Sequence, residues 1–316
     1  MRRQRTLPML ALGLAVAATH WGCASTHNGA DPSRPGYAAR SKLAHELVSR
    51  GDWARAFAML DELHRENPDD ADVLVLRGIV YRERGLFADG EADLKDALKL
   101  TPESADAHAA LGILYDVQMR SEAEKEHREA VKLAPHNPAY LNNLGFSLFL
   151  RQHFKEAITV YESAARLAPL SRRVRTNLGF ACAATGDLRR AAREFQMGGT
   201  ESEAKNNLGF AYERRGDMAN AYDLYIEAVR LDPKAERPRS NLVHAAVVLG
   251  RPVPPEAVAP AAPGATAPVV VPPAEPGAET GAVKVPGAEL GAVKVPAATT
   301  AAKDVPADAP KKEAHP

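Results

Sequence analysis

Residues 138–147, PAYLNNLGFS, and residues 202–211, SEAKNNLGFA, carry the same NNLGF core. The core belongs to a series: RGIVY around Gly78, LGILY around Gly112, LGFSL around Gly145, LGFAC around Gly179 and LGFAY around Gly209, spaced 34, 33, 34 and 30 residues apart. A small residue follows each glycine (Gly90, Ala123, Ala157, Ala191, Ala221), then a second one (Ala97, Ala130, Ala164, Gly198, Ala228). Proline closes most units, at Pro68, Pro102, Pro135, Pro169 and Pro233. Gly51-Asp52, Gly186-Asp187 and Gly216-Asp217 mark a turn inside a unit. Leu and aromatic residues between these points recur at helical spacing. Each unit therefore reads as two helices whose small residues let them approach closely. The proline lacks an N–H and disfavours helix at the residue before it, so it separates one unit from the next. A unit of this size cannot bury its apolar face alone, so stacking must supply the stability.

The pattern resembles the tetratricopeptide repeat, a 34-residue helix–turn–helix unit, over residues 37–250. A first unit fits without the glycine, through Leu43, Ala44, Gly51, Ala56 and Pro68, and a last helix over Arg237 to Leu249 carries Asn241-Leu242 in phase. The resemblance implies an all-α, right-handed superhelical solenoid of about six repeats with a C-terminal capping helix, packed through Gly78, Gly112, Gly145, Gly179 and Gly209. Two units depart from the period. The third has lost a residue in its turn, DVQMRSEAE, and the fifth is shortened by four after ARRAAREFQM, ending at Gly198-Gly199-Thr200. The array is expected to kink or tighten there.

In this family the first helices line a concave groove that holds peptides. The position after the signature glycine is one of its readers, here Ile79, Ile113, Phe146, Phe180 and Phe210. Phe149 lies one turn from Phe146, and Asn142 and Asn206, one turn before the stripe, can offer donor and acceptor atoms to a peptide backbone. The peptide-groove set is thus Asn142, Phe146, Phe149, Phe180, Asn206 and Phe210. Asn143, Asn177 and Asn207 fall on the neighbouring face and are expected to bond backbone between helices, while Cys182 replaces a core tyrosine as a small buried thiol.

Chemistry beyond binding finds no support. Gly145-Phe-Ser147-Leu-Phe149 lacks the last glycine of a nucleophile elbow. Gly85 to Gly90 is spaced like a phosphate loop, but Glu91 and Ala92 follow it in a helix–helix turn. No histidines stand four apart, and two cysteines suffice for neither a disulfide framework nor a zinc site. Forty Lys and Arg balance forty Asp and Glu, so the basic excess of a nucleic-acid binder is missing. The expectation is a protein that is not an enzyme, with no cofactor, metal, nucleic acid or small-molecule substrate.

The two ends are different material. Residues 1–22, with Arg2, Arg3 and Arg5 before an apolar run from Leu7 to Ala18, read as a signal peptide too short to span a membrane. The Gly22-Cys23 that follows resembles the bacterial lipobox, which implies lipidation at Cys23 and a membrane anchor. The alternative is cleavage after Ala17 or Ala24 and a soluble periplasmic protein. Residues 23–36 then form a flexible linker. Residues 251–316 hold 14 Pro, 18 Ala and no aromatic, with GAETGAVKVP (277–286) repeated as GAELGAVKVP (287–296), and are expected to be a disordered tether.

A lipobox, six repeats, two NNLGF cores and the closing AERPRSNLVHA together resemble the tight-adherence (Tad/Flp) pilus assembly lipoproteins. That resemblance implies an interaction scaffold on the periplasmic side of the outer membrane that assists a pilus or secretion machine. A secretin pilotin of type IV pili, or an envelope adaptor regulating a periplasmic enzyme, are the alternatives.

Overall fold

The computed structural model describes residues 36–257, so residues 1–22, Cys23, most of the linker and the chain beyond Ala257 lie outside it. Among the described residues there are thirteen α-helices and no strand. They pair as α1 (Tyr37–Ser49) with α2 (Trp53–Glu66), α3 (Ala71–Glu83) with α4 (Phe87–Leu100), and α5 (Ala105–Val117) with α6 (Ala123–Leu133). The series continues with α7 (Pro138–Leu150) and α8 (Phe154–Leu167), α9 (Arg172–Ala184) and α10 (Leu188–Gly198), and α11 (Glu201–Arg214) and α12 (Met218–Leu231). Helix α13 (Glu236–Leu249) caps the array. None is long and apolar enough to cross a membrane.

Local chemistry sets the helix ends. In the Gly-Asp turns, Gly51, Gly186 and Gly216 take the left-handed conformation. The next residue caps the second helix: Asp52, Asp187 and Asp217 accept from the backbone N–H of Arg55, Arg190 and Asn220. Units without that dipeptide still make the turn, with Met119 (φ 55°) and Gln152 (φ 63°) in the same conformation. Between units the caps are Asp70, Ser104, Asn137, Ser171 and Thr200, the last in a capping box with Glu203.

Within a unit each signature glycine faces one side chain of the second helix: Leu94, His127, Tyr161, Phe195 and Tyr225 in turn. The approach leaves no room for a methyl group. A Cβ on Gly179 would sit 2.5 Å from Cε1 of Phe195, and one on Gly145 would sit 2.7 Å from Cε1 of Tyr161. Between units, the first helices α1, α3, α5, α7, α9, α11 and α13 touch one another in succession. Among the described residues the backbones of the second helices stay apart, and long side chains reach between them, as in Arg128–Glu156 and Arg190–Glu162. The tighter layer is the inside of the curve, so the first helices line the concave face.

Both irregular units keep this plan. In five units the second helix begins three residues before its first small residue; α6 begins at that residue, Ala123, so the deletion has unwound one turn. In the fifth unit α10 stops at Gly198, whose missing side chain lets it lie against Arg175 and Thr176, and contact between α9 and α11 persists across the shortened connection. One boundary differs from expectation. Residues 251–257 fold back on the cap: Arg251 lies over the Tyr222 ring and Ala257 is buried with α12 and α13.

Candidate partner-binding groove

The inner layer presents the expected stripe unevenly. Phe146, Phe149 and Phe210 are partly exposed, and Phe149 packs at a tilt against Phe154 at the start of α8 with ring centroids 5.4 Å apart. Phe180 is only 6% exposed. Its ring meets Phe195 at 4.8 Å and Phe210 at 6.0 Å, both edge-on, so it belongs to the core of the fifth unit. Ile79 and Ile113 are buried as well.

The two asparagines placed in the groove are also corrected. Asn142 and Asn206 are buried. Asn177 Nδ2 donates to Asn142 Oδ1 at 3.0 Å, and Asn241 Nδ2 donates to Asn206 Oδ1 at 2.8 Å. Each pair ties one first helix to the next, which removes these amides from the surface. Asn177, expected to bond backbone, thus bonds a side chain. The physical reason is the closeness of successive first helices, which covers the positions nearest their seam. The accessible part of the groove is therefore Phe146, Phe149 and Phe210, with Phe154 beside them.

A second cluster was not anticipated. His127 occupies, in α6, the slot that Tyr161, Phe195 and Tyr225 fill elsewhere. Its Nε2 lies 2.9 Å from Asp116 Oδ2, while Ser147 Oγ and Arg151 Nη1 donate to Asp116 Oδ1 at 2.9 and 2.8 Å. Arg151 also donates to the carbonyl of Arg120. Asp116, His127 and Ser147 are buried, so the apolar core is interrupted here by polar bonds that join the third and fourth units. Serine and histidine both address the aspartate and not each other, so no nucleophile is activated. The Tyr161 hydroxyl nearby is pushed well above its ordinary range by burial and then by the Asp116 charge. The register foretells His127 once the one-residue deletion is allowed for; Asp116 carries no such signal.

Two further buried groups are perturbed. Arg77 Nε lies 3.0 Å from Asp93 Oδ2 in the second unit, and burial raises the Asp93 carboxyl to about 6 despite the guanidinium. Burial likewise raises the Cys182 thiol to about 11, the wrong direction for a reactive cysteine. Among the described residues no cluster of His, Cys, Asp or Glu could hold a metal ion.

Comparison with known proteins fits this architecture. One tetratricopeptide-repeat model matches residues 41–105, 76–138 and 144–198, and a second matches 202–235, together more than half the chain. The type IV pilus assembly protein PilF of Pseudomonas aeruginosa is 34% identical over 111 residues, 34% of this chain and 44% of PilF. The BBSome complex member BBS4 of Bos taurus is 26% identical over 199 residues, 60% of this chain and 38% of that protein. The chain spans less than half the length of these curated relatives. Among solved structures, Pseudomonas aeruginosa PilF superimposes with a TM-score of 0.54 at 18% identity, over 67% of this chain and 97% of that one. PilW, described as a widely conserved type IV pilus biogenesis factor, gives 0.56 at 16%, over 69% and 100%. At these identities the structures speak for the fold alone. Repeat period, helix pairing and family match agree: the chain belongs to the tetratricopeptide-repeat proteins.

Proposed function

We propose that this protein is a non-catalytic interaction scaffold that assists assembly of a pilus machine, holding a segment of a partner protein against Phe146, Phe149 and Phe210. The observation that carries the pilus reading is the 34% identity to PilF over 111 residues. It favours the type IV pilus over the tight-adherence pilus, whose assembly lipoproteins the sequence also resembles. The partly exposed aromatic edge on the inner layer supports a peptide-holding role. Gly22-Cys23 supports a lipid anchor facing the periplasm from the outer membrane.

The test is deletion of the gene, followed by counting surface pili and measuring secretin multimers. Loss of either, restored by the wild-type chain and not by Phe146→Ser/Phe149→Ser, supports the proposal. Unchanged pili and multimers sink it. Acyl labelling that is absent from both the wild type and Cys23→Ala removes the anchor.

A further inference from the structure

The charge of this chain is unevenly placed. Residues 37–70, 71–104 and 200–235 each carry five Lys or Arg against seven Asp or Glu, and residues 105–137 carry four against six, so four of the six units have a net of −2. Residues 171–199, the fifth unit, carry six arginines against Asp187 and Glu194, a net of +4. Four of the six have partners, Arg173 among them. Arg172 pairs with Glu203, Arg175 with Glu194 and Arg190 with Glu162. Arg189 and Arg193 are exposed and make no hydrogen bond or ion pair among the described residues.

These two stand one helical turn apart on α10, and Met197 continues the same face one turn on, 51% exposed. The position of Met197 holds Asp96, Glu129, Ser163 and Glu227 in other units. A second apolar exception lies in the loop that leads into α9, whose first turn bonds the end of α10 through Arg172 and the Gly198 carbonyl. The residue after the unit-closing proline is Asp69, Glu103, His136 and Lys234 elsewhere but Leu170 here, 90% exposed. Arg175 draws the two together, donating to the Pro169 carbonyl at 3.0 Å and pairing with Glu194 of α10 at 2.9 Å. Arg166 and Leu167, at the exposed end of α8, complete the patch.

We propose that Arg189, Arg193, Met197 and Leu170 form a second docking surface, on the outer face of the fifth unit, for an acidic protein segment with apolar anchors. Charge complementarity selects the occupant: the free arginines face solvent uncompensated, and the two apolar side chains at their end offer contact to leucine-like residues. The neighbouring charge selects its shape. An anionic membrane surface would press on the acidic sixth unit as well and be repelled, whereas a narrow segment lying along α10 meets the basic unit alone. The site is on the outer layer, so it can be filled while the groove is occupied, and it stands whether or not the pilus reading does.

The experiment uses the full chain and a short fluorescein-labelled peptide rich in Glu with leucines one helical turn apart, followed by anisotropy. Binding that weakens with added salt is expected. It should fall about tenfold or more in Arg189→Glu/Arg193→Glu, fall in Leu170→Ser, and persist in Phe146→Ser/Phe149→Ser. All these residues lie at or near the surface, and far-ultraviolet circular dichroism confirms that each variant folds. No binding of the peptide, or equal binding by the charge-reversed variant, overturns the proposal. So does binding to phosphatidylglycerol vesicles without binding to the peptide.

Discussion

Gly179→Ala separates two forces of opposite sign. In a helix interior, alanine is favoured over glycine by about 1 kcal/mol, so propensity alone predicts a more stable protein. The geometry predicts the reverse. The new methyl carbon would lie 2.5 and 2.6 Å from Cε1 and Cδ1 of Phe195, a residue 1% exposed. That ring cannot swing away freely, because Phe180 packs on it edge-on at 4.8 Å and is buried in turn. Forcing a methyl into a filled core costs about 1–3 kcal/mol, with the upper part of the range fitting so short a contact. The net expectation is a loss of about 1–2 kcal/mol, read as a drop of about 4 °C in thermal midpoint for a folded region of this length. Combining the substitution with Phe195→Leu removes the clashing ring edge, so the double variant should be less destabilised than the sum of the singles. Urea and thermal unfolding followed by circular dichroism give both numbers. A Gly179→Ala protein as stable as the wild type, or more so, would refute close packing as the reason for the glycine.

Other consequences follow from the same contacts. Gln152→Gly relieves a left-handed non-glycine residue and should stabilise by about 1 kcal/mol, the opposite sign from Gly179→Ala; a destabilised variant in urea titration contradicts the turn geometry. Arg151→Met leaves the buried Asp116 carboxylate without its cation and should cost about 3 kcal/mol, checked by calorimetry against a near-neutral exposed control such as Arg55→Met. Asp93 should titrate near 6 by carboxyl carbon NMR; a midpoint near 4 would contradict its burial. Because its native value lies above that of the unfolded chain, Asp93 contributes a stability that is complete below about pH 4 and lost as pH rises through about 6. Cys182 should resist alkylation in the native state and react only on unfolding, so rapid labelling without denaturant would disagree with its burial and raised thiol.

Much of the architecture was legible because it is local and repeated. Glycine in the first helix and a larger side chain in the second meet within one unit, and the same pair recurs with the period, so Gly78, Gly112, Gly145, Gly179 and Gly209 point to their own packing role. The Gly-Asp turns are equally local, a left-handed residue followed by a helix cap. The register even accounts for His127, since the third unit is short by one residue. What the sequence could not decide was which residues of the first helices stay open to a ligand. That depends on how closely neighbouring first helices pack, a sum of small rotations from unit to unit that no single residue specifies. The structure closes the seam over Asn142, Asn206 and Phe180 and leaves Phe146, Phe149 and Phe210 at its edge. It also converges Asp116, Ser147 and Arg151 from two units onto one buried charge. The helix pairs and their caps follow from the amino-acid pattern alone, because those rest on neighbours within a unit. Which side chains face solvent emerges from the packed array, because exposure is set by contacts between units.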